Sequence, residues 1–290
     1  MKPCSFTYHR PASVEEALSM LAEFADDDGR ILAGGQSLMP MMALRLARPL
    51  HLIDINEIAS LKLLETDKDK IKISALVRHA QFYDVVVANP LGELLKTVAS
   101  NIAHYPIRHR GTFCGSVAHA DPASEWCMLV VVLGATMEVQ SYAGSRLIEA
   151  QSFFKGVMET ALEANEMLTA VYLPQLDRNE CFGFYEFNRR PGDFAFAMCL
   201  VTFEIENGVI SKVRLGIGAA EETPRRLTDV ESFLNENTLT KEKIIEAGNI
   251  AAGSITPLTD EQISASYRRN ILKTVVIRAI EQASKSQNQE

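Results

Sequence analysis

At 290 residues the chain exceeds a typical single domain, and its 47% hydrophobic and 23% charged residues suit a water-soluble protein with sizeable cores. A net charge of -8 with no lysine- or arginine-rich run argues against nucleic acid as a main partner, and no apolar run reaches the roughly 18–20 residues of a membrane span. Five scattered cysteines (Cys4, Cys114, Cys127, Cys181 and Cys199) without a CxxC pair exclude an evident zinc ribbon or iron–sulfur binding run; with no apolar N-terminal segment, reduced thiols and a cytoplasmic location are expected.

Ser13-Val14-Glu15-Glu16 reads as a capping box, with Ala17, Leu18, Leu21 and Phe24 behind it at helical spacing. The acidic turn Asp26 to Gly29 ends that helix, and Arg30 to Ala33 is a short buried strand broken by Gly34-Gly35. Ser37 then precedes a short helix with Pro40 in its first turn, an arrangement by which amides and a helix start face a phosphate. Further strands are expected at His51 to Ile55 and, after a charged turn at Asp67 to Asp69, at Lys70 to Val77. Helices follow at His79 to Val87 and Pro90 to Ser100.

Next comes the segment around which the chain is organised, Arg110 to Glu125, dense in glycine, hydroxyl and carboxylate residues and without apolar periodicity. It reads as a loop, followed by a helix from about Ala123 to Leu133 and strands at Thr136 to Ser141 and Glu166 to Leu173. The polar stretch Pro174 to Glu180 marks a boundary between lobes. Beyond it lie strands at Gly183 to Phe187, Phe196 to Glu206 and Val209 to Ile217, the last two joined by an Asn207-Gly208 hairpin turn. Helices at Thr228 to Leu234, Lys241 to Ala252 and Glu261 to Ala283 finish the chain, with Ser284 to Glu290 a frayed tail.

A Gly-Gly turn after a strand is usually only a tight turn. Two small-residue segments, each beside hydroxyl and amide donors, suggest a ligand with two adjacent phosphates held between them, hence a dinucleotide and most readily a flavin. There is no GxxxxGK[ST] motif; Gly216-Ile217-Gly218 lacks the third glycine and helix of a Rossmann fingerprint, which leaves it a structural role. The histidines lack HExxH spacing and read as loop residues, with His119 a hydrogen-bond donor beside a flavin. Cys114 reads as a neutral filler, since a thiolate beside phosphate would be repelled. The Arg189 to Phe194 turn is either solvated or brings Asp193 or Phe194 to the ligand's ring. No nucleophile–base pair stands out, so no catalytic residue is assigned and the chemistry must come from a cofactor.

Taken in order, Ala33-Gly34-Gly35-Gln36-Ser37-Leu38, Leu52-Ile53-Asp54-Ile55, Arg108 to Pro122 and Arg190-Pro191-Gly192-Asp193-Phe194-Ala195 resemble the FAD-binding medium subunits of molybdenum hydroxylases, the family of the xanthine dehydrogenase and carbon monoxide dehydrogenase medium subunits. The resemblance implies an α+β fold: a vanillyl-alcohol-oxidase-like (PCMH-type) FAD-binding domain over residues 1–175, with subdomains of about 1–57 and 58–175, and a C-terminal domain over 176–290 of antiparallel sheet with helices. It implies non-covalent FAD with its pyrophosphate on Ala33, Gly34, Gly35, Gln36, Ser37 and Leu38 and on Thr112, Cys114, Gly115 and Ser116. His119, Ala120 and Asp121 extend the second segment, Glu125 takes the adenosine ribose, the Leu168 backbone takes the adenine end, and Asp193 and Phe194 approach the ring.

Three departures from the family pattern stand out: Cys114 for the first glycine of a Gly-Gly pair, Glu125 for aspartate, and Tyr185 and Glu186 where some members carry a lysine. The implied role is electron transfer in a heterotrimer, arranged as a dimer of heterotrimers. A large subunit holds the molybdenum cofactor and oxidises the substrate, for which an N-heterocycle is the first expectation and carbon monoxide the second; a small subunit holds two [2Fe–2S] clusters. A self-contained flavin oxidase and a non-enzymatic nucleotide-binding subunit are the alternatives.

Overall fold

The computed structural model describes residues 2–261 and 263–286 and arranges them around three β-sheets. The first is small and parallel: β1 (Thr7–His9) and β2 (Gly29–Leu32) flank β3 (His51–Asp54). Helix α1 (Val14–Glu23) starts as its sequence demands, Ser13 Oγ accepting from the Glu16 amide at 3.1 Å, and it buries Ala17, Leu18 and Leu21. Glu16 reaches back to the Ala12 amide at 2.7 Å, one residue earlier than a standard box. The short α2 (Leu38–Ala43) follows the Gly34-Gly35 turn. Strand β2 was expected to be buried; Ile31 and Leu32 are only half-buried, because they wall a cleft rather than a core.

The second sheet is antiparallel, in the order β4 (Leu64–Thr66), β5 (Lys70–Ser74), β10 (Met167–Pro174), β6 (Thr136–Ser141) and β7 (Gly144–Glu149). Asp67 Oδ1 shapes the β4–β5 turn by accepting from the Asp69 and Lys70 amides, both at 2.8 Å. Strand β5 ends at Ser74 rather than Val77, whose carbonyl instead accepts from the Phe113 amide at 2.9 Å. The helix expected from His79 to Val87 is a single 3-10 turn, His79–Tyr83, followed by three β-branched valines that disfavour helix.

The segment expected as a loop is largely helical. After α3 (Pro90–Asn101) come α4 (Tyr105–Arg110), α5 (Phe113–His119) and α6 (Glu125–Leu133). Each stop is local: Thr112 and Ser124 cap the starts of α5 and α6, and Ala120 ends α5 in the left-handed region at φ 53°. Seven residues are too few for apolar periodicity to register, which is why the sequence reads as irregular there. A short α7 (Ala150–Phe153) and the hairpin of β8 (Phe154–Gly156) and β9 (Glu159–Thr160) complete this region.

The third sheet runs β11 (Glu180–Asn188), β12 (Ala195–Glu206), β13 (Val209–Gly218) and β14 (Arg225–Arg226). Asn207 and Gly208 both have positive φ, 51° and 79°, as the hairpin signal requires. Helix α8 (Thr228–Leu234), β15 (Asn237–Thr238) on β13, α9 (Lys241–Ser254) and α10 (Ala265–Ser286) back the sheet. Helix α10 begins four residues later than expected, and residues 287–290 of the expected tail lie outside the described residues. Gly183 lets α10 onto β11, for a Cβ there would lie 1.9 Å from the Ala279 carbonyl oxygen.

Helix α6 is buried all round, from Trp126 to Leu133, because the C-terminal sheet lies against it. Gly216 and Gly218 of β13 make that approach close: a Cβ on Gly216 would sit 2.4 Å from Val132 Cγ2, and one on Gly218 3.2 Å from Met128 Cβ. This is the structural role expected of the Gly-Ile-Gly run.

Candidate functional site

One cleft of about 1220 Å³ opens between the three sheets. Of the seventeen predicted ligand residues, sixteen line it; Ala120 alone does not. Ala120 is buried behind the wall, and its carbonyl accepts from the Met158 amide at 3.1 Å, so it positions a wall residue.

The first turn is the open side of the cradle. Gly35 sits at φ +68°, and Gly34 passes so near the second segment that a Cβ would lie 2.5 Å from the Arg110 carbonyl oxygen and 2.7 Å from Gly111 Cα. Among the described residues, no protein acceptor takes the amides of Gly34, Gly35, Gln36 or Ser37, and Ser37 makes no side-chain cap bond. Four adjacent N–H groups without protein partners facing a cleft form an anion-binding concavity. Asn56 holds the turn's start, its Nδ2 donating to the Ala33 carbonyl at 2.8 Å, and Arg78 donates to both Asn56 Oδ1 and the Arg110 carbonyl, tying the two segments together.

The second segment is built differently from expectation. The Gly115 amide goes to Thr112 Oγ1 at 3.0 Å and the Ser116 amide to the Thr112 carbonyl at 3.0 Å, so these are spent on capping α5. What it offers is slimness and hydroxyls, Ser116 and Ser124 being paired at 2.9 Å. Cys114 needs no glycine-like backbone, for it stands inside α5; its buried thiol donates to the Ile73 carbonyl at 3.3 Å, and burial pushes its pKa far up, so it stays neutral.

Toward the far wall, burial lowers the pKa of His119 and keeps the ring neutral. Burial first, then Glu186, push Glu125 up to about 8, with Asp121 adding to it; burial pushes Glu186 up to about 7. One Glu186 oxygen, Oε2, is buried without a hydrogen-bond partner. Leu168 lies at a β-bulge, where the pairing of β10 with β6 slips between Leu168 and Ala170. From the C-terminal side the Arg189 to Phe194 turn leans over the cleft with Phe194 71% exposed. Gly192, at φ +88°, rests on the His104 ring, which a Cβ would approach to 2.3 Å.

Sequence reasoning missed His79, Ile102 and Arg268, which also line the cleft. Arg268 is buried and donates to the Phe196, Ala219 and Leu258 carbonyls at 2.7, 2.8 and 2.9 Å, and so belongs to the wall's framework. No local pattern marks any of the three. Away from the cleft, Asp177, Glu180 and Glu204 gather their oxygens within 4.8 Å, but Lys212 and Arg214 pair with all three, which makes a salt-bridge network.

Comparison with known proteins matches residues 4–176 to the family described as FAD binding domain in molybdopterin dehydrogenase, and residues 182–283 to the CO dehydrogenase flavoprotein C-terminal domain. The nicotine 6-hydroxylase medium subunit of Paenarthrobacter nicotinovorans is 36% identical over 98% of this chain and 99% of its own length. Among solved structures, quinoline 2-oxidoreductase from Pseudomonas putida 86 aligns with a TM-score of 0.94 at 34% identity, over 99% of both chains. Carbon monoxide dehydrogenase from Hydrogenophaga pseudoflava aligns at 0.93 and 32%, over 98% of this chain and 99% of that one. No helix among the described residues is long and apolar enough to cross a membrane.

Proposed function

The chain belongs to the FAD-binding medium-subunit family of the molybdenum hydroxylases, and from that premise we propose that it is the electron-transfer subunit of a heterotrimeric dehydrogenase. In this reading it takes electrons from the [2Fe–2S] clusters of a small partner subunit and passes them to an external acceptor. The substrate is oxidised on a large molybdenum-cofactor subunit, and the complex is a cytoplasmic dimer of heterotrimers. Relatives named for nicotine, quinoline and caffeine favour an N-heterocyclic substrate.

The observation that carries the reading is the set of four unpartnered amides, Gly34 to Ser37, closed against Gly111 in one cleft. They suit a pyrophosphate, because adjacent N–H groups without protein acceptors can converge on phosphate oxygens, and the lack of a Cβ at Gly34 lets this turn lie directly against Gly111. Ser37 and Ser116 add hydroxyls, and Glu125, largely protonated at neutral pH, offers the adenosine ribose a donor as well as an acceptor. The backbone at the Leu168 bulge would take the adenine end, and Asp193 and Phe194, which line the cleft from the C-terminal side, would lie toward the ring end. FAD, when bound, supplies the redox chemistry, accepting electrons singly or in pairs. The residues of this chain bind, orient and shield; none acts on the organic substrate.

The test is the visible spectrum of the chain purified with its native partners, followed by acid precipitation. A flavin band with FAD released into the supernatant, together with iron–sulfur absorbance and molybdenum, is expected. A colourless preparation without iron or molybdenum refutes the proposal; a flavin that stays with the pellet refutes non-covalent binding.

A further inference from the structure

His79 occupies the base of the cleft, 5% exposed, at the start of the 3-10 turn His79–Tyr83. Its ring is fixed from behind. The buried Trp126 indole Nε1–H donates to His79 Nδ1 at 2.9 Å, and an indole nitrogen can only donate, so Nδ1 carries the lone pair. Burial, with the cations Arg78 and Arg108, pushes the imidazole pKa down to about 4, which leaves the ring neutral with its single proton on Nε2. The indole is itself wedged by Phe113 and Phe82, ring centroids 4.6 and 5.3 Å away. The His79 backbone amide is tied to the Gly111 carbonyl at 3.1 Å. Neither the tautomer nor the position of the ring has much freedom.

The other end of the ring points at the place where the two segments meet. A Cβ on Gly111 would stand 2.5 Å from His79 Nε2, so only the missing side chain leaves that nitrogen open, and Gly34 packs against the same residue, where its own Cβ would come within 2.7 Å of Gly111 Cα. Among the described residues no acceptor is hydrogen-bonded to Nε2. Three arrangements thus converge: a donor set by Trp126, a residue almost wholly buried, and a glycine that uncovers the donor beside the four unpartnered amides. Among the described residues Glu186 Oε2 is the one side-chain polar atom both sealed from solvent and without a partner, so the unpaired Nε2 keeps access to the cleft, where a ligand's acceptor can reach it.

We propose that His79 is a cofactor-binding residue, whose Nε2–H donates a hydrogen bond to FAD seated in the cleft beside the junction of the Gly34 turn and the Gly111–Thr112 segment. Trp126 is then a positioning residue that keeps the proton on the cleft-facing nitrogen. The inference rests on FAD occupying this cleft.

The test uses the full-length chain stripped of flavin, with FAD binding followed by equilibrium dialysis in wild type, H79L and H79Q. Leucine removes the donor. Glutamine keeps both functions, its Oε1 accepting from the indole and its amide donating into the cleft. H79L is expected to weaken FAD binding roughly ten- to hundred-fold, the value of one hydrogen bond to a polar or charged acceptor, with H79Q within about three-fold of wild type. In parallel, nitrogen-15 histidine labelling of the wild type should give an Nε2–H resonance that shifts and gains exchange protection when FAD is added; a purely structural histidine would not change. Wild-type affinity in H79L, or an Nε2–H resonance indifferent to FAD, overturns the proposal, and the resonance decides the matter if H79L does not fold. Failure of the wild-type chain to bind FAD overturns the underlying reading instead.

Discussion

Replacing Gly34 with alanine probes the point at which the two cofactor segments touch. The added Cβ would lie 2.5 Å from the Arg110 carbonyl oxygen and 2.7 Å from Gly111 Cα, both backbone atoms that no side-chain rotation can clear. Ordinary contact begins near 3.4 Å, so the segments must part by about 0.9 Å. Asn56 and Arg78 resist that movement, because they bond to the carbonyls of Ala33 and Arg110 on either side. Overpacking of this kind costs about 1–3 kcal/mol of stability. A shift of about 1 Å also carries the amides of Gly34 to Ser37 out of hydrogen-bond range of a phosphate, and misplacement on that scale costs on the order of a hundred-fold. G34A should therefore purify with little flavin, show an FAD dissociation constant raised about a hundred-fold, and melt a few degrees lower when apo. Wild-type FAD content together with an unchanged melting temperature would refute the geometry on which the cofactor site is built.

Thr112→Ala removes the cap that takes the Gly115 amide; a loss of about 1 kcal/mol in apo stability with lower flavin occupancy is expected, and Thr112→Ser should restore both. Glu125 has its folded pKa raised from 4.5 to about 8, so the unfolded chain ionises first and apo stability should fall as pH rises from about 4.5 to about 8. In E125Q that slope should flatten, the variant melting above wild type at pH 8 but not at pH 4.5; parallel curves of melting temperature against pH would contradict the assignment. Gly183→Ala would set a Cβ 1.9 Å from the Ala279 carbonyl oxygen and drive α10 off β11. It should lower the denaturation midpoint by the equivalent of about 3 kcal/mol, or prevent soluble expression, whereas G253A, with open space at its Cβ, should be nearly silent.

Much of the molecule was legible without coordinates, for reasons that are local. Ser13 begins α1, Asn207-Gly208 turns β12 into β13, and alternation marks β5, because each depends on neighbours a few residues away. The glycine turn at 34–35 could be identified from its own composition. Local patterns failed where partners are distant in sequence. Helix α5 is too short for periodicity and is held by a cap at Thr112 and a bond from the Phe113 amide to the Val77 carbonyl. His79 looks ordinary until Trp126 donates to one nitrogen of its ring and Gly111 uncovers the other.

The sequence alone determined the order and kind of most elements, the antiparallel C-terminal sheet and the two small-residue segments. Only the tertiary structure decided which amides remain unpaired. Capping consumes those of Gly115 and Ser116 and leaves those of Gly34 to Ser37, a division set by hydrogen-bond partners within α5. It also decided that three sheets, contributed by parts of the chain more than a hundred residues apart, wall one cleft. Secondary structure is dictated by contacts along the chain. A binding site depends on which donors and acceptors remain unpaired after all contacts across the fold have been made.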